Sequence, residues 1–346
     1  MTTTPRPAPR ASGFDWAATG LSLLFLGGVY LDGWAHSHGR VDETFFTPWH
    51  AVLYSGFFAM MSLLVGRATY GFVKGARGWS VMPDGYALSL VGVTLWLVGG
   101  PFDLAWHSVF GFEADVEALL SPAHALLALG VAFMTSGPLR AALRRPAGRW
   151  HDELPMMLSL ACLVANLTFF TQIAHPIANL WAAGRETHDI TELGIVSMLL
   201  TSVILVAPLL LLVGQGRLPR GAVTVVVGLD CIATGFLFDH GPYPLVPVLF
   251  MVAAAVAGDG LQAALQPSPT RPRALRGFAG ALAVLLQASY FAALAATVGI
   301  GYTAHLWIGM VVFPGVVGWL LSYLVLPPRG AGDRPAALSL GRPLDR

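Results

Sequence analysis

Residues 190–214 read ITELGIVSMLLTSVILVAPLLLLVG, with no charged side chain between Glu192 and Arg217. A helix rises about 1.5 Å per residue and the hydrocarbon core of a bilayer is about 30 Å thick, so about 20 apolar residues suffice to cross it. This run predicts a transmembrane helix. The same criterion, carried outward, predicts ten spans: 16–34, 47–71, 84–106, 121–143, 154–180, 190–214, 222–239, 244–265, 278–300 and 303–326. Of the 346 residues, 55% are apolar and 11% charged, and the mean hydropathy is +0.65. A soluble globule carries about 25% charged residues to keep its surface solvated. The expected fold is all-α: a polytopic membrane helical bundle of about ten helices in five hairpins. It forms one transmembrane domain over 16–326, with disordered tails at 1–15 and 327–346.

The charges orient this bundle. Of 20 basic residues, 18 lie in the tails or in and beside the connections after spans 2, 4, 6 and 8; only Arg40 and Arg185 fall on the other side. The positive-inside bias then predicts both termini in the cytoplasm. Arg6 and Arg10 precede the first run as in a signal peptide, but Tyr30-Leu31-Asp32-Gly33-Trp34 is no small-residue cleavage site, so the run is read as a retained span. The expected location is the bacterial inner (plasma) membrane. A net charge of +1 gives no reason to expect nucleic acid as a partner. Cys162 and Cys231 sit in apolar runs and form no C-x-x-C motif, which argues against a disulfide framework or a thiolate zinc site.

In this orientation nine of ten histidines lie in or beside the extracytoplasmic connections, together with most of the acids. Two segments there share a pattern. Asp32-Gly33-Trp34-Ala35-His36 is followed by Thr47-Pro48-Trp49-His50-Ala51-Val52-Leu53, and Asp103-Leu104-Ala105-Trp106-His107 by Ser121-Pro122-Ala123-His124-Ala125-Leu126-Leu127. Recurrence of the same residue types in the same order indicates an internal duplication, hairpin 16–71 matching hairpin 84–143. Asp and His at i and i+4 share one helix face. Thr or Ser before Pro is an N-cap and N1 signature, which puts His50 and His124 in a first helical turn, where the positive helix end favours neutral imidazole. Each hairpin thus offers one carboxylate and two imidazoles, a set suited to copper, zinc or iron. The competing reading is a hydrogen-bonded interfacial pair with a first-turn histidine satisfying backbone carbonyls.

These residues resemble a motif of the copper membrane monooxygenases, the particulate methane and ammonia monooxygenase family, whose C subunit carries copper ligands in the pattern D-x3-H-x12-H. Asp32, His36 and His50 match its residue types as D-x3-H-x13-H, and Asp103, His107 and His124 as D-x3-H-x16-H. The resemblance is confined to these short segments of the two hairpins. The spacings, the ten-span count and the lack of a soluble copper-binding domain in this chain depart from the family. It implies copper ligation and oxidation of a small substrate.

Other outer groups do not repeat the pattern: His175, His188, Asp189, Asp239, His240 and His305 are candidates for a second metal site or for partners that orient the first ligands, and equally for caps and turns. Asp230, Asn166 and Gln287 fall near span centres, where polar groups mark either a proton or ion route or packing hydrogen bonds. The aromatic residues Trp34, Phe45, Phe46, Trp49, Trp106, Phe110, Phe112 and Trp181 fit an interfacial belt or the wall of an apolar pocket. The chain has no phosphate-binding loop, no dinucleotide fingerprint and no H-E-x-x-H. Its only lysine, Lys74, lies in a basic connection, which excludes a retinal Schiff base within a span. Haem held by outer histidines stays open. Three functions follow: a membrane metalloprotein, copper preferred, acting as an oxidase or monooxygenase-like protein; a metal- or proton-coupled transporter or metal-delivery protein; and a structural subunit that docks a membrane or extracytoplasmic protein.

Overall fold

The computed structural model describes residues 10–40, 47–111, 119–183, 188–238 and 245–326, the side chains of 188–190 excepted. The described helices are α1 (Gly13–Ser37), α2 (Pro48–Val73), α3 (Ala87–Phe110), α4 (Pro122–Thr135), α5 (Gly137–Leu143), α6 (Trp150–Phe170), α7 (Pro176–Asn179), α8 (His188–Gly214), α9 (Ala222–Leu237), α10 (Leu245–Leu265), α11 (Pro272–Ala296) and α12 (Ala304–Val325). Eight of them are long and apolar enough to cross a membrane, and α4 with α5 makes a ninth if the bent pair is one span. The chain is an integral membrane protein with lipid as a partner, as its many outward-facing leucines, valines and phenylalanines require.

Several predicted boundaries are corrected. The tail expected over 1–15 ends earlier, because Ser12 caps α1 by accepting from the Asp15 amide while the Asp15 carboxylate accepts from the Ser12 amide. Asp15 is then held by Arg145 at 2.8 Å and by the Tyr86 hydroxyl at 2.8 Å, so the start of α1 is docked. The span expected over 121–143 is bent by 42° between α4 and α5. Pro138 there has no amide hydrogen to donate and its ring crowds the preceding turn. The span expected over 154–180 starts at Trp150 and stops at Phe170. Pro176 forces His175 into extended backbone, and the chain continues as the 3-10 turn Gln172–Ala174, the single turn α7 and the 3-10 turn Trp181–Ala183. Consequently α6 and α8 do not close into a tight hairpin; α6 packs chiefly on α9, and α8 on α12. The span expected over 222–239 is the 16-residue α9, about 24 Å long and short for a full crossing.

Two apolar cores result. One joins α1 to α4 with parts of α6 and α9; the other joins α6 with α8 to α12. In the first, α1 packs on α2 and α3 on α4 through glycines at matching places. The alignment that pairs Asp32 with Asp103 also pairs Gly28 with Gly99. A Cβ on Gly28 would stand 2.7 Å from Leu53 Cα, and one on Gly99 would stand 2.8 Å from the side chain of Leu127. Gly56 abuts Phe25 and Gly130 abuts Trp96 in the same way. Each hairpin therefore closes to backbone contact, the mode of helix association that works where both partners are already in apolar surroundings. Asp32 and Asp103 lie one helical turn beyond Gly28 and Gly99, so the close approach carries the carboxylates to the facing helix.

Candidate metal centre

Thr47 and Ser121 are the N-caps of α2 and α4: each side-chain oxygen accepts from the amide three residues on, His50 and His124, at 3.1 Å, with Pro48 and Pro122 inside the first turn. The caps fix both imidazoles at the helix starts, opposite the ends of α1 and α3. In the first group His36 Nε2 lies 3.7 Å and His50 Nε2 3.5 Å from Asp32 Oδ2. In the second, His107 Nε2 and His124 Nδ1 both lie 3.5 Å from Asp103 Oδ1. The three ligand atoms of each group lie within 4.8 Å of one another. All six sequence-predicted residues are thus brought together as two triads.

These separations exceed the roughly 2.7–3.2 Å of a direct hydrogen bond. They are close to the separation of about 3.3 Å between neighbouring ligands around a tetrahedral ion bound at about 2.0–2.1 Å. Asp32 Oδ1 and Asp103 Oδ1 are buried without a hydrogen-bond partner among the described residues. His107 Nδ1 lies 3.2 Å from the Gly111 carbonyl, which can only accept; a neutral His107 therefore carries its proton there and turns the Nε2 lone pair toward Asp103. An ion between these two acceptors would satisfy both, as would a proton that turns one of them into a donor. The donor set fits copper, zinc or iron, and three protein ligands leave a coordination position open. Ser121 Oγ lies 2.8 Å from His124 Nδ1, the same ring nitrogen that faces Asp103. A hydrolytic Ser-His-Asp relay uses opposite nitrogens, so this is not one.

The remaining candidates are scattered. His175 is fully buried at the N-cap of α7, where its Nδ1 accepts from the Ile177 amide; burial pushes its imidazole down to about 3, so it is neutral at ordinary pH. His305 is exposed in the first turn of α12. Asp239 and His240 lie outside the described residues, as do the side chains of His188 and Asp189. The mid-span polar groups Asn166 and Gln287 hold different pairs of helices. Asn166 donates to the Ala128 carbonyl at 3.2 Å, tying α6 to α4. Gln287 donates to the Met198 carbonyl and Ser202 Oγ, tying α11 to α8 in the other core. Asp230 is wholly buried on α9, with the Thr168 hydroxyl of α6 beside its carboxyl. Trp34 stacks on His38 and meets Trp49 edge-on beside the first triad.

Sequence reasoning missed Tyr54. It lies on α2 one turn from His50, with ring centroids 6.2 Å apart, and its hydroxyl approaches Gly100, where a Cβ would stand 3.6 Å from it. The i, i+4 spacing from His50 was the available signal. No family model matches this chain, and no curated protein or solved structure matches it either.

Proposed function

We propose that this protein is an integral membrane metalloprotein that binds a transition metal, copper preferred, through Asp32, His36 and His50 and through Asp103, His107 and His124. The observation that carries the reading is the gathering of one carboxylate and two imidazole nitrogens within 4.8 Å in each of two hairpins. Ionisable groups at the edge of the hydrocarbon are costly without a partner or a role, and this donor set has both if it holds an ion. The distribution of arginine favours an extracytoplasmic face for the triads. An open coordination position and the resemblance to the copper membrane monooxygenases favour oxidation of a small substrate. The test is elemental analysis of detergent-purified protein beside Asp32→Ala/His36→Ala and Asp103→Ala/His107→Ala variants of verified fold. Near-stoichiometric metal lost in the variants supports the reading; a folded wild type that stays metal-free after reconstitution with Cu(I), Cu(II), Zn and Fe(II) overturns it.

A second reading, a metal- or proton-coupled transporter, is favoured by Asp230 alone, a carboxyl group wholly buried within the bundle. It requires that Asp230→Asn abolish metal or proton flux in proteoliposomes while leaving metal content intact.

A further inference from the structure

The two hairpins meet so that like touches like. Phe25 and Trp96 hold equivalent places in α1 and α3 under the alignment that pairs Asp32 with Asp103, and their rings contact each other with centroids 5.3 Å apart. Helix α1 touches α4, and its counterpart α3 touches α2. Equivalent elements in reciprocal contact are the mark of a local two-fold relation. These contacts set the two hairpins side by side, with their triads at the same end of the helices.

Tyr54 breaks this relation at its centre. Its ring packs on Trp96 with centroids 5.3 Å apart, its hydroxyl sits against Gly100 one turn inward of Asp103, and it lies one turn inward of His50, the partner of Asp32. The equivalent position, four residues after His124, is Ala128, which carries no polar group on its side chain. One phenol therefore lies on the inner side of both carboxylates, and only one hairpin supplies it. A phenol O–H both donates and accepts, so it can hydrogen-bond a carboxylate or a metal-bound water from below.

We propose that the two triads are the halves of one two-metal centre, with Tyr54 the shared phenol that makes its halves unequal. Such a centre holds two ions close enough to act on one substrate or one bound water from two sides, which a pair of independent sites does not. The inference rests on the metal-binding reading, and the two fail separately. Full-length protein in detergent is titrated with Cu(II) and followed by copper content and electron paramagnetic resonance. Two coppers per chain with a half-field transition, lost in Asp32→Asn/His36→Gln and in Asp103→Asn/His107→Gln while each variant keeps one copper, is the expected result. Tyr54→Phe is expected to keep both coppers and to shift the coupled spectrum. Two coppers whose spectrum is the sum of the two single-site spectra overturn the shared centre and leave the metal reading standing. An unchanged spectrum in Tyr54→Phe removes the phenol from the centre, and a wild type that takes up no copper overturns the two-copper centre, the metal reading then standing or falling on the elemental analysis with the other ions.

Discussion

The hairpins α1–α2 and α3–α4 present the same donors in the same order, yet they seat them differently. Asp103 and His107 expose only 9% of each side chain, whereas Asp32 exposes 16% and His36 51%. In the first triad both imidazoles face the carboxylate through Nε2; in the second His124 does so through Nδ1, beside the Ser121 hydroxyl. A duplication can thus preserve which groups meet while changing how much water reaches them. Burial strengthens every electrostatic interaction of a site and raises the cost of leaving it incomplete.

The largest expected difference follows from that burial. When a ligand is removed from an exposed triad, water takes the vacant position; in a buried one, the carboxylate left behind has neither the ion nor adequate solvation. His107→Ala should weaken metal binding at its triad by at least about 100-fold, and His36→Ala by about 10-fold, set against the roughly 10- to 100-fold range known for residues that merely orient metal ligands. Isothermal titration of each variant, with the other triad disabled, checks this. Equal losses in both would break the comparison and reduce the two triads to chemically identical sites.

The fold class, the ligand residues and their capped helix starts were legible because each has a local signal: apolar run length, i, i+4 spacing, and Thr-Pro or Ser-Pro before the histidines. The arrest of α6 at Phe170 was not legible, because Ile173 and Ala174 continue an apolar pattern without a charge and the break is made by Pro176 further on. The role of Tyr54 was hidden for a different reason. Its neighbours Trp96 and Gly100 are on another hairpin, and a contact set by helix packing leaves no trace in local periodicity. Equivalence of Gly28 with Gly99 and of Gly56 with Gly130 was present in the sequence, but its meaning depends on which atoms lie opposite.

Those opposite atoms set the next prediction. A methyl group on Gly28 would meet the backbone of Leu53 at 2.7 Å, and backbone cannot turn away. On Gly99 the nearest atom is the end of the Leu127 side chain, at 2.8 Å, which can rotate. Gly28→Ala is therefore expected to destabilise the protein by about 1–3 kcal/mol, the usual range for overpacking, and Gly99→Ala by less than about 1 kcal/mol. Unfolding of both variants in mixed micelles decides it. A large loss at Gly99 would mean that Leu127 is as fixed as backbone and that the second hairpin is packed as tightly as the first.

The smallest effect tests a hydrogen bond of the second triad. Thr47 and Ser121 both cap a helix, so Thr47→Ala and Ser121→Ala should each cost about 1 kcal/mol of stability. Ser121 Oγ, however, also lies 2.8 Å from His124 Nδ1, the nitrogen that faces Asp103. A hydroxyl proton directed at that lone pair competes with a metal for it. The facing nitrogen of His50 is Nε2, on the far side of the ring from Nδ1. Removing Ser121 should thus raise metal affinity at the second triad by about 2- to 10-fold, the equivalent of one net hydrogen bond, while removing Thr47 leaves the first triad unchanged. A fall in affinity in Ser121→Ala would reverse the assignment: the hydroxyl would then be orienting the imidazole for the ion, and the two caps would differ in helping the site rather than in hindering it.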